Sequence, residues 1–214
     1  MGVAEELRGR ARPIWERIVA HPFVVEVYRG DLPMEKFRYY LLQDYYYLIH
    51  FTKALALAAA KAPDVSSMKL ALSLAYGTAT GEMANYEALL REVGLSIEAA
   101  AAAEPNDVNK AYMDFLTATC ALGGFYHCMA AVLPCFWTYA EIAERHREAL
   151  RGNKVEVYVK WASTYLSKEY RDLVDSLKAL LNSRGVGADE LWPYFKRASE
   201  YEWKFWQAAY EAQA

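Results

Sequence analysis

The amino-acid sequence predicts an all-α protein, folded as a single-domain helical bundle over residues 1–214. Apolar residues recur at helical spacing in almost every long segment, and no stretch shows the sustained alternation of a strand. The links between these segments are short, without a Ser/Gly-rich linker, a shift in composition or an internal repeat. Since 55% of the residues are hydrophobic, the chain can fill the core that a bundle of this length buries.

Seven helical segments follow one another, with predicted bounds 4–20, 33–62, 64–93, 108–122, 125–150, 155–181 and 189–212. The first is expected to end before His21 and Pro22, because a residue before proline avoids the α region. Pro33 is well placed as the first residue of the second helix, since its fixed φ suits that position. Pro63 ends the second helix, and Asp64 or Ser66 is a suitable cap for the third.

The later boundaries depend on glycine and on capping residues. Gly94 ends the third helix, and a short alanine run at 99–103 leads to a capped restart at 104–107. A pair of glycines at 123–124 separates the fourth and fifth helices. Gly152 and Asn153 close the fifth, and a loop with two glycines at 185 and 187 precedes the seventh.

Charge and hydropathy exclude several classes of protein. A net charge of −3 gives no electrostatic attraction to nucleic acid or to an anionic membrane. The apolar runs are interrupted well short of the roughly 20 residues that span a bilayer. The N-terminus carries acids where a signal peptide would carry bases. We therefore expect a cytoplasmic protein without a nucleic-acid or membrane partner.

The cysteines and histidines do not indicate a metal or a disulfide framework. Cys120, Cys128 and Cys135 are odd in number and lack the C-x-x-C spacing of a zinc or redox site. No histidine lies three residues after a glutamate, as it would in a di-iron helical bundle. No Walker loop or dinucleotide fingerprint is present. Neither a metal nor a cofactor is expected.

Asp44 is the first candidate site residue. It shares a helical stripe with Tyr40, Leu41 and Leu48, which should face the core, and Tyr47 is its neighbour one turn further on. A carboxylate on such a stripe must be paired or hydrogen-bonded. One interpretation is an edge-of-core aspartate bonded to a tyrosine. The other is a ligand-binding aspartate in a pocket that tyrosines line, which suits a flat heteroaromatic ring.

Cys135 is the second candidate. It directly follows Pro134, and proline inside a helix removes a backbone hydrogen bond and distorts the preceding turn. Tyr139 lies on the same face, four residues later. Cys120 and Cys128 are expected to behave as small core hydrophobes. Position alone leaves core packing and reactivity equally open for Cys135.

Glu202 is the third candidate, because it precedes Phe205 and Trp206 by three and four residues and so shares their face. An acid among aromatic side chains should have a raised pKa, as a proton donor near neutral pH requires. A residue at the rim of the core or in an ion pair is the alternative interpretation.

Several separated motifs resemble the TenA/thiaminase II family. They are His-Pro-Phe at 21–23, Gly-Asp-Leu-Pro at 30–33, Tyr-Leu-Leu-Gln-Asp-Tyr at 40–45, Leu-Pro-Cys-Phe-Trp-Thr-Tyr at 133–139, Trp-Ala-Ser-Thr-Tyr at 161–165 and Tyr-Glu-Trp-Lys-Phe-Trp at 201–206. The resemblance covers nearly the whole chain and keeps order and spacing. It implies the haem-oxygenase-like all-α fold, a homotetramer and, because Cys135 is retained, the branch of the family that has the cysteine.

The function that the resemblance implies is thiamin salvage. Such enzymes hydrolyse 4-amino-5-aminomethyl-2-methylpyrimidine to the hydroxymethyl compound and ammonia, and many also cleave thiamin. The family's nucleophile corresponds to Cys135, its pyrimidine-binding aspartate to Asp44 and its proton-handling glutamate to Glu202. The substrate-binding tyrosines correspond to Tyr47, Tyr112, Tyr139 and Tyr165.

Two other functions fit parts of the pattern. A non-catalytic pyrimidine-binding or regulatory protein on the same scaffold would keep the aspartate and the tyrosines, and only the cysteine and the glutamate argue for turnover. A cofactor-free oxidase or a haem-handling protein of the same fold would need a proximal histidine, and no histidine is well placed for that role.

Overall fold

The computed structural model describes residues 2–183 and 185–212, and within them the secondary structure is helical, without a strand. The α-helices, numbered α1 to α13 in chain order, are Val3–Arg10, Arg12–Val19, Pro22–Arg29, Met34–Ala60, Val65–Gly77, Met83–Glu92, Ile97–Ala102, Asp107–Leu122, Phe125–Arg145, Arg147–Gly152, Glu156–Thr164, Lys168–Asn182 and Ala188–Glu211. All of them contribute side chains to one hydrophobic cluster. The all-α prediction is confirmed.

The predicted helix breaks were too few. The segment 4–20 is divided at Ala11 into α1 and α2, and Pro22 begins α3 instead of only ending a helix. His21 caps α3, because its Nδ1 accepts a hydrogen bond from the backbone N–H of Phe23 at 3.2 Å. Proline at the first helical position lacks only an N–H that would have no intrahelical partner there.

The predicted segments 125–150 and 155–181 are also divided, at His146 and around 165–167. Ser167 caps α12 through a hydrogen bond from the backbone N–H of Tyr170 at 3.1 Å. The predicted cap at Asp64 is confirmed, since its Oδ1 accepts from the Ser67 N–H at 2.8 Å. Pro33 is the residue before α4, not its first residue.

A π-helical turn, Thr78–Glu82, joins α5 to α6 where the sequence predicted a regular helix. The turn follows Gly77 and contains Gly81, and a Cβ at either glycine would meet nothing within 4 Å. The glycines are therefore not needed for close packing; their effect is a low helix propensity in this stretch. A π turn holds one residue more than the α-helix it interrupts and is frequent at functional sites.

Helix α4 runs through the middle of the bundle beside α5, α8 and α9, and α13 packs along α9. A buried glutamine, Gln43, fixes α4 against the start of α8. Its Oε1 accepts from the Asn106 N–H at 2.8 Å, and its carbonyl accepts from Asn109 Nδ2 at 2.7 Å. These bonds hold the backbone next to Asp44 in place.

One face of α5 carries apolar side chains that remain exposed. Val65, Met68, Leu72 and Tyr76 recur at helical spacing and form this α5 stripe. No helix within the described residues is long and apolar enough to cross a membrane.

Candidate active site

Three adjoining chambers lie between the helices and contain all seven predicted site residues. The inner chamber is lined by Asp44, Tyr47, Tyr112, Tyr139, Glu202 and Phe205. The middle chamber shares Asp44, Tyr47 and Tyr139 with it and adds Cys135, Tyr165, Tyr170 and Glu82 among its lining residues. The outer chamber, of about 300 Å³, shares Asp44, Glu82, Tyr165 and Tyr170 with the middle one. Asp44 lines all three chambers.

Glu202 is buried in the inner chamber, with 3% of its surface exposed. Tyr112 on α8 donates a hydrogen bond of 2.6 Å to Oε1 of Glu202 on α13. Burial disfavours the carboxylate and raises the pKa of Glu202 to about 7, although the Tyr112 hydrogen bond acts in the opposite direction. The group is therefore divided between its acid and its carboxylate near neutral pH, as the sequence predicted.

Cys135 lies on α9 and is only partly buried, because its thiol faces the middle chamber. Helix α9 continues unbroken through Pro134. Desolvation and the nearby Glu202 carboxylate raise the pKa of Cys135 well above its usual range. The Tyr47 hydroxyl is buried in the same chamber, and its approach to the Cys135 thiol lowers the pKa of that thiol, against the larger effect of desolvation. It is available as a donor to a thiolate at Cys135.

Asp44 projects from α4 into the space between Glu202 and Glu82. Desolvation raises the pKa of Asp44 well above its usual range, and the charges of Glu82 and Glu202 add to the effect. A neutral Asp44 is a hydrogen-bond donor, and a ligand that brings a positive or donor group would favour its carboxylate.

Aromatic rings form most of the walls. The centroids of Tyr139 and Tyr165 are 4.8 Å apart, and those of Tyr165 and Tyr170 are 5.1 Å apart. In the inner chamber, the ring centroids of Tyr47 and Phe205 are 5.8 Å apart. Side chains of this kind suit a planar heteroaromatic ligand, whose faces stack while its edge bonds to hydroxyl and carboxyl groups. The inner and middle chambers have volumes of only about 10 and 20 Å³, so these rings must move apart to admit such a ligand.

Several lining residues were not among the predicted site residues. Three of them line both the middle and the outer chamber: Glu82, Phe136 and Tyr170. The only available signal for Glu82 was the pair of glycines at 77 and 81, which marks an irregular turn in a helical pattern. Tyr170 donates a hydrogen bond of 3.1 Å to the carbonyl of Phe136, directly after Cys135.

The other two cysteines lie apart from the chambers. Cys120 and Cys128 are free and buried, as expected of small core residues. Within the described part of the chain, no group of three or more His, Cys, Asp or Glu side chains is arranged to hold a metal ion.

Comparison with known proteins gives the family. The sequence profile of the TENA/THI-4/PQQC family matches residues 8–212. An aminopyrimidine aminohydrolase of Halalkalibacterium halodurans is 33% identical over 98% of this chain and 96% of its own. One from Bacillus subtilis is also 33% identical, over 98% of this chain and 90% of its own.

Solved structures agree with this assignment. A TenA homologue from P. horikoshii is 43% identical and superimposes with a TM-score of 0.95, over 98% of this chain and 99% of that one. A Shewanella denitrificans domain described as having a heme oxygenase-like fold is 14% identical, with a TM-score of 0.80 over 97% of this chain and 91% of its own. At that identity the likeness concerns the fold alone, and the predicted haem-oxygenase-like fold is confirmed. The chain belongs to the TENA/THI-4/PQQC family.

Proposed function

We propose that this protein is a hydrolase of thiamin salvage that converts 4-amino-5-aminomethyl-2-methylpyrimidine to the hydroxymethyl compound and ammonia. The observation that carries the proposal is the convergence of Asp44, Cys135 and Glu202 on adjoining aromatic chambers. The names of the similar aminopyrimidine aminohydrolases support the same reaction.

In the proposed mechanism Cys135 is the nucleophile. Its sulfur adds to a ring carbon, its proton passes to the Asp44 carboxylate, and Glu202 protonates a ring nitrogen that receives the displaced electron pair. The addition removes the aromaticity that makes direct displacement at the exocyclic methylene slow. The C–N bond to the substituent then breaks, and its electron pair leaves with the nitrogen.

The second half of the reaction restores the ring. Water adds to the methylene carbon and gives one proton to the released ammonia, and the ring nitrogen returns its proton to Glu202. The sulfur departs from the ring as a thiolate and takes its proton back from Asp44. The Tyr47 hydroxyl stabilises the thiolate at the beginning and the end of this cycle. Tyr112, Tyr139 and Tyr165 hold the ring between their faces and edges.

We also propose that the same site cleaves thiamin, and the outer chamber is the part of the site that supports this. It adjoins the middle chamber through Glu82 and Tyr165, and its volume of about 300 Å³ gives room for a leaving group much larger than ammonia. We propose that the thiazolium of thiamin occupies it. Thiamin cleavage is measured by separating the two ring products after incubation.

The test of the mechanism is ammonia release from the aminomethylpyrimidine. Cys135→Ala and Glu202→Gln should each abolish release, while circular dichroism shows unchanged helix content. Cys128→Ala is the matched control, because it removes a thiol from the same helix outside the chambers. Full activity of either site variant would overturn the mechanism. A native protein that binds the pyrimidine without releasing ammonia would be a binding protein instead.

We also propose that copies of this chain associate through the α5 stripe, as in the expected tetramer. Leu72 and Tyr76 are 51% and 73% exposed, which is unusual for large apolar side chains on a single helix face. Leu72→Lys should lower the molar mass in light scattering if the stripe is the interface. A reducing cytoplasmic location is the accompanying proposal, since all three thiols are free.

A further inference from the structure

Glu82 stands where the middle chamber opens into the outer one. It is the last residue of the π turn and lines both chambers, together with Asp44 and Tyr165. Because a π turn contains one extra residue, it changes the direction in which the following side chains point relative to a regular helix. The π turn therefore determines where the Glu82 carboxyl points.

The chambers are acidic throughout. Their charged lining residues are Asp44, Glu82, Glu169 and Glu202, and no lysine, arginine or histidine lines any of them within the described residues. No ion pair joins Glu82 to a cationic side chain in the described part of the chain. The Glu82 side chain is exposed to the outer chamber, and partial desolvation by the protein around it raises its pKa, against the effect of a hydrogen bond from Thr78. A cation placed beside this carboxyl would favour its charged form and would meet no like charge among the lining residues.

We propose that Glu82 binds the positively charged nitrogen that the substrate carries on its exocyclic methylene, and so sets the preference for a cationic leaving group. This inference rests on the proposed function, because it takes the orientation of the pyrimidine from it. The primary amine of the aminomethyl substrate is protonated at neutral pH, as is usual for alkylamines.

The orientation follows from the residues that each chamber shares. With the ring edge at Glu202 in the inner chamber and Cys135 beside the ring, the substituent extends toward the outer chamber. Two carboxyl groups line both the middle and the outer chamber, those of Asp44 and Glu82. Asp44 also lines the inner chamber, and in the proposed orientation its carboxylate accepts a hydrogen bond from the ring amino group. Glu82 is then the carboxyl left for the nitrogen of the leaving group.

Binding measurements separate this role from a structural one. In a Cys135→Ala background that cannot turn over, calorimetry compares the cationic aminomethylpyrimidine with the neutral hydroxymethylpyrimidine. Glu82→Gln should weaken binding of the cationic ligand by about tenfold or more, the usual effect of losing a hydrogen bond to a charged group. Binding of the neutral ligand should change by less than about twofold, since no charge is lost in that complex.

Glu87→Gln is the matched control. Glu87 lies on α6, just beyond the π turn, 4.0 Å from Arg91 and outside the chambers. It should leave both affinities unchanged. In the turnover assay, Glu82→Gln should raise KM for the aminomethyl substrate more than for its uncharged N-formyl derivative. Thermal unfolding checks that the variant is folded.

The outcomes are distinguishable from those of the proposed function. Equal weakening of both ligands in Glu82→Gln, or no weakening of either, overturns the role of Glu82 even if the native chain releases ammonia. Charge-selective weakening with no ammonia from the native chain supports the role and overturns the hydrolase. If neither pyrimidine binds the Cys135→Ala protein and the native chain releases no ammonia, both proposals fail.

Discussion

The Tyr112 hydroxyl donates a 2.6 Å hydrogen bond to Oε1 of Glu202 and thereby joins α8 to α13 within the inner chamber. Burial raises the pKa of Glu202 to about 7, and this hydrogen bond keeps the value from rising further. The pair sets the fraction of Glu202 that can donate a proton at a given pH.

Tyr112→Phe should therefore raise the pKa of Glu202 by about one unit, because a hydrogen bond to a charged group contributes about 1.5 kcal/mol or more. Carboxyl infrared bands recorded against pH measure the change directly. The acidic limb of the pH–rate profile should also move to higher pH. An unchanged Glu202 titration in Tyr112→Phe would show that this bond does not stabilise the carboxylate.

Glu202→Gln should make stability less dependent on pH. In the native protein the unfolded carboxyl loses its proton near 4.5, whereas the folded one holds it until about 7. The free energy of unfolding should fall between these values, by up to about 3 kcal/mol, and stay lower above pH 7. Glutamine keeps the acceptor for Tyr112 and has no such penalty, so the variant gains relative stability as pH rises.

Denaturant titrations at pH 4.5, 6 and 8 check this prediction, with Glu200→Gln as the control. Glu200 lies on the same helix but forms ion pairs with Lys196 and Arg197, at 3.6 and 3.2 Å. Its substitution should not produce a gain that grows with pH. A Glu202→Gln protein that is less stable than the native one at pH 8 would contradict the assignment of a raised pKa.

Tyr47→Phe should separate function from stability. The Tyr47 hydroxyl is buried, and its polar neighbours are the Cys135 thiol and the Tyr112 hydroxyl, so removing it should change the free energy of unfolding by less than about 1 kcal/mol. In the proposed mechanism it should lower kcat about tenfold, because the thiolate loses a donor. Tyr86→Phe is the contrasting variant for stability, since it removes a 2.8 Å hydrogen bond to the Leu41 carbonyl and should cost about 1 kcal/mol. Equal stability losses in both variants would mean that the Tyr47 hydroxyl is bonded as strongly in the free protein as the hydroxyl of Tyr86 is.

Cys135 should react slowly with small alkylating reagents in the free protein. Its pKa lies well above the usual range, so the thiol carries its proton at neutral pH. The rate of alkylation should rise continuously between pH 7 and 9 without reaching a plateau. Peptide mapping by mass spectrometry distinguishes Cys135 from the buried Cys120 and Cys128. A plateau below pH 8 would indicate a preformed thiolate.

Local sequence patterns predicted which side chains line the chambers better than they predicted the helix boundaries. Asp44 and Glu202 were recognised because a carboxyl on an apolar helical stripe conflicts with its surroundings, and this conflict is visible without a structure. Helix ends are harder to predict, because a capping side chain can begin or end a helix where the helix propensity of the residues indicates otherwise. His21 provides such a cap through its ring nitrogen, which made Pro22 the start of a helix.

Glu82 was not predicted as a site residue. The sequence pattern was interpreted as one regular helix over 64–93, and the π turn changes which face of that helix Glu82 occupies. The three chambers adjoin because helices that are distant in sequence pack together, as α8 and α13 do at Tyr112 and Glu202. A local sequence pattern cannot predict such packing. The roles of Asp44, Cys135 and Glu202 stay predictions that the variants above test.

The π turn has a consequence for how relatives of this chain should be aligned. Each residue of an α-helix turns the chain by about 100°, so deleting one residue between 78 and 81 would restore a regular helix and rotate Glu82 away from the chambers by about that angle. An insertion or deletion of one residue in the π turn would thus remove the Glu82 carboxyl from the middle and outer chambers without substituting any side chain. Among relatives, a one-residue gap here is the mark to look for when the preferred leaving group differs.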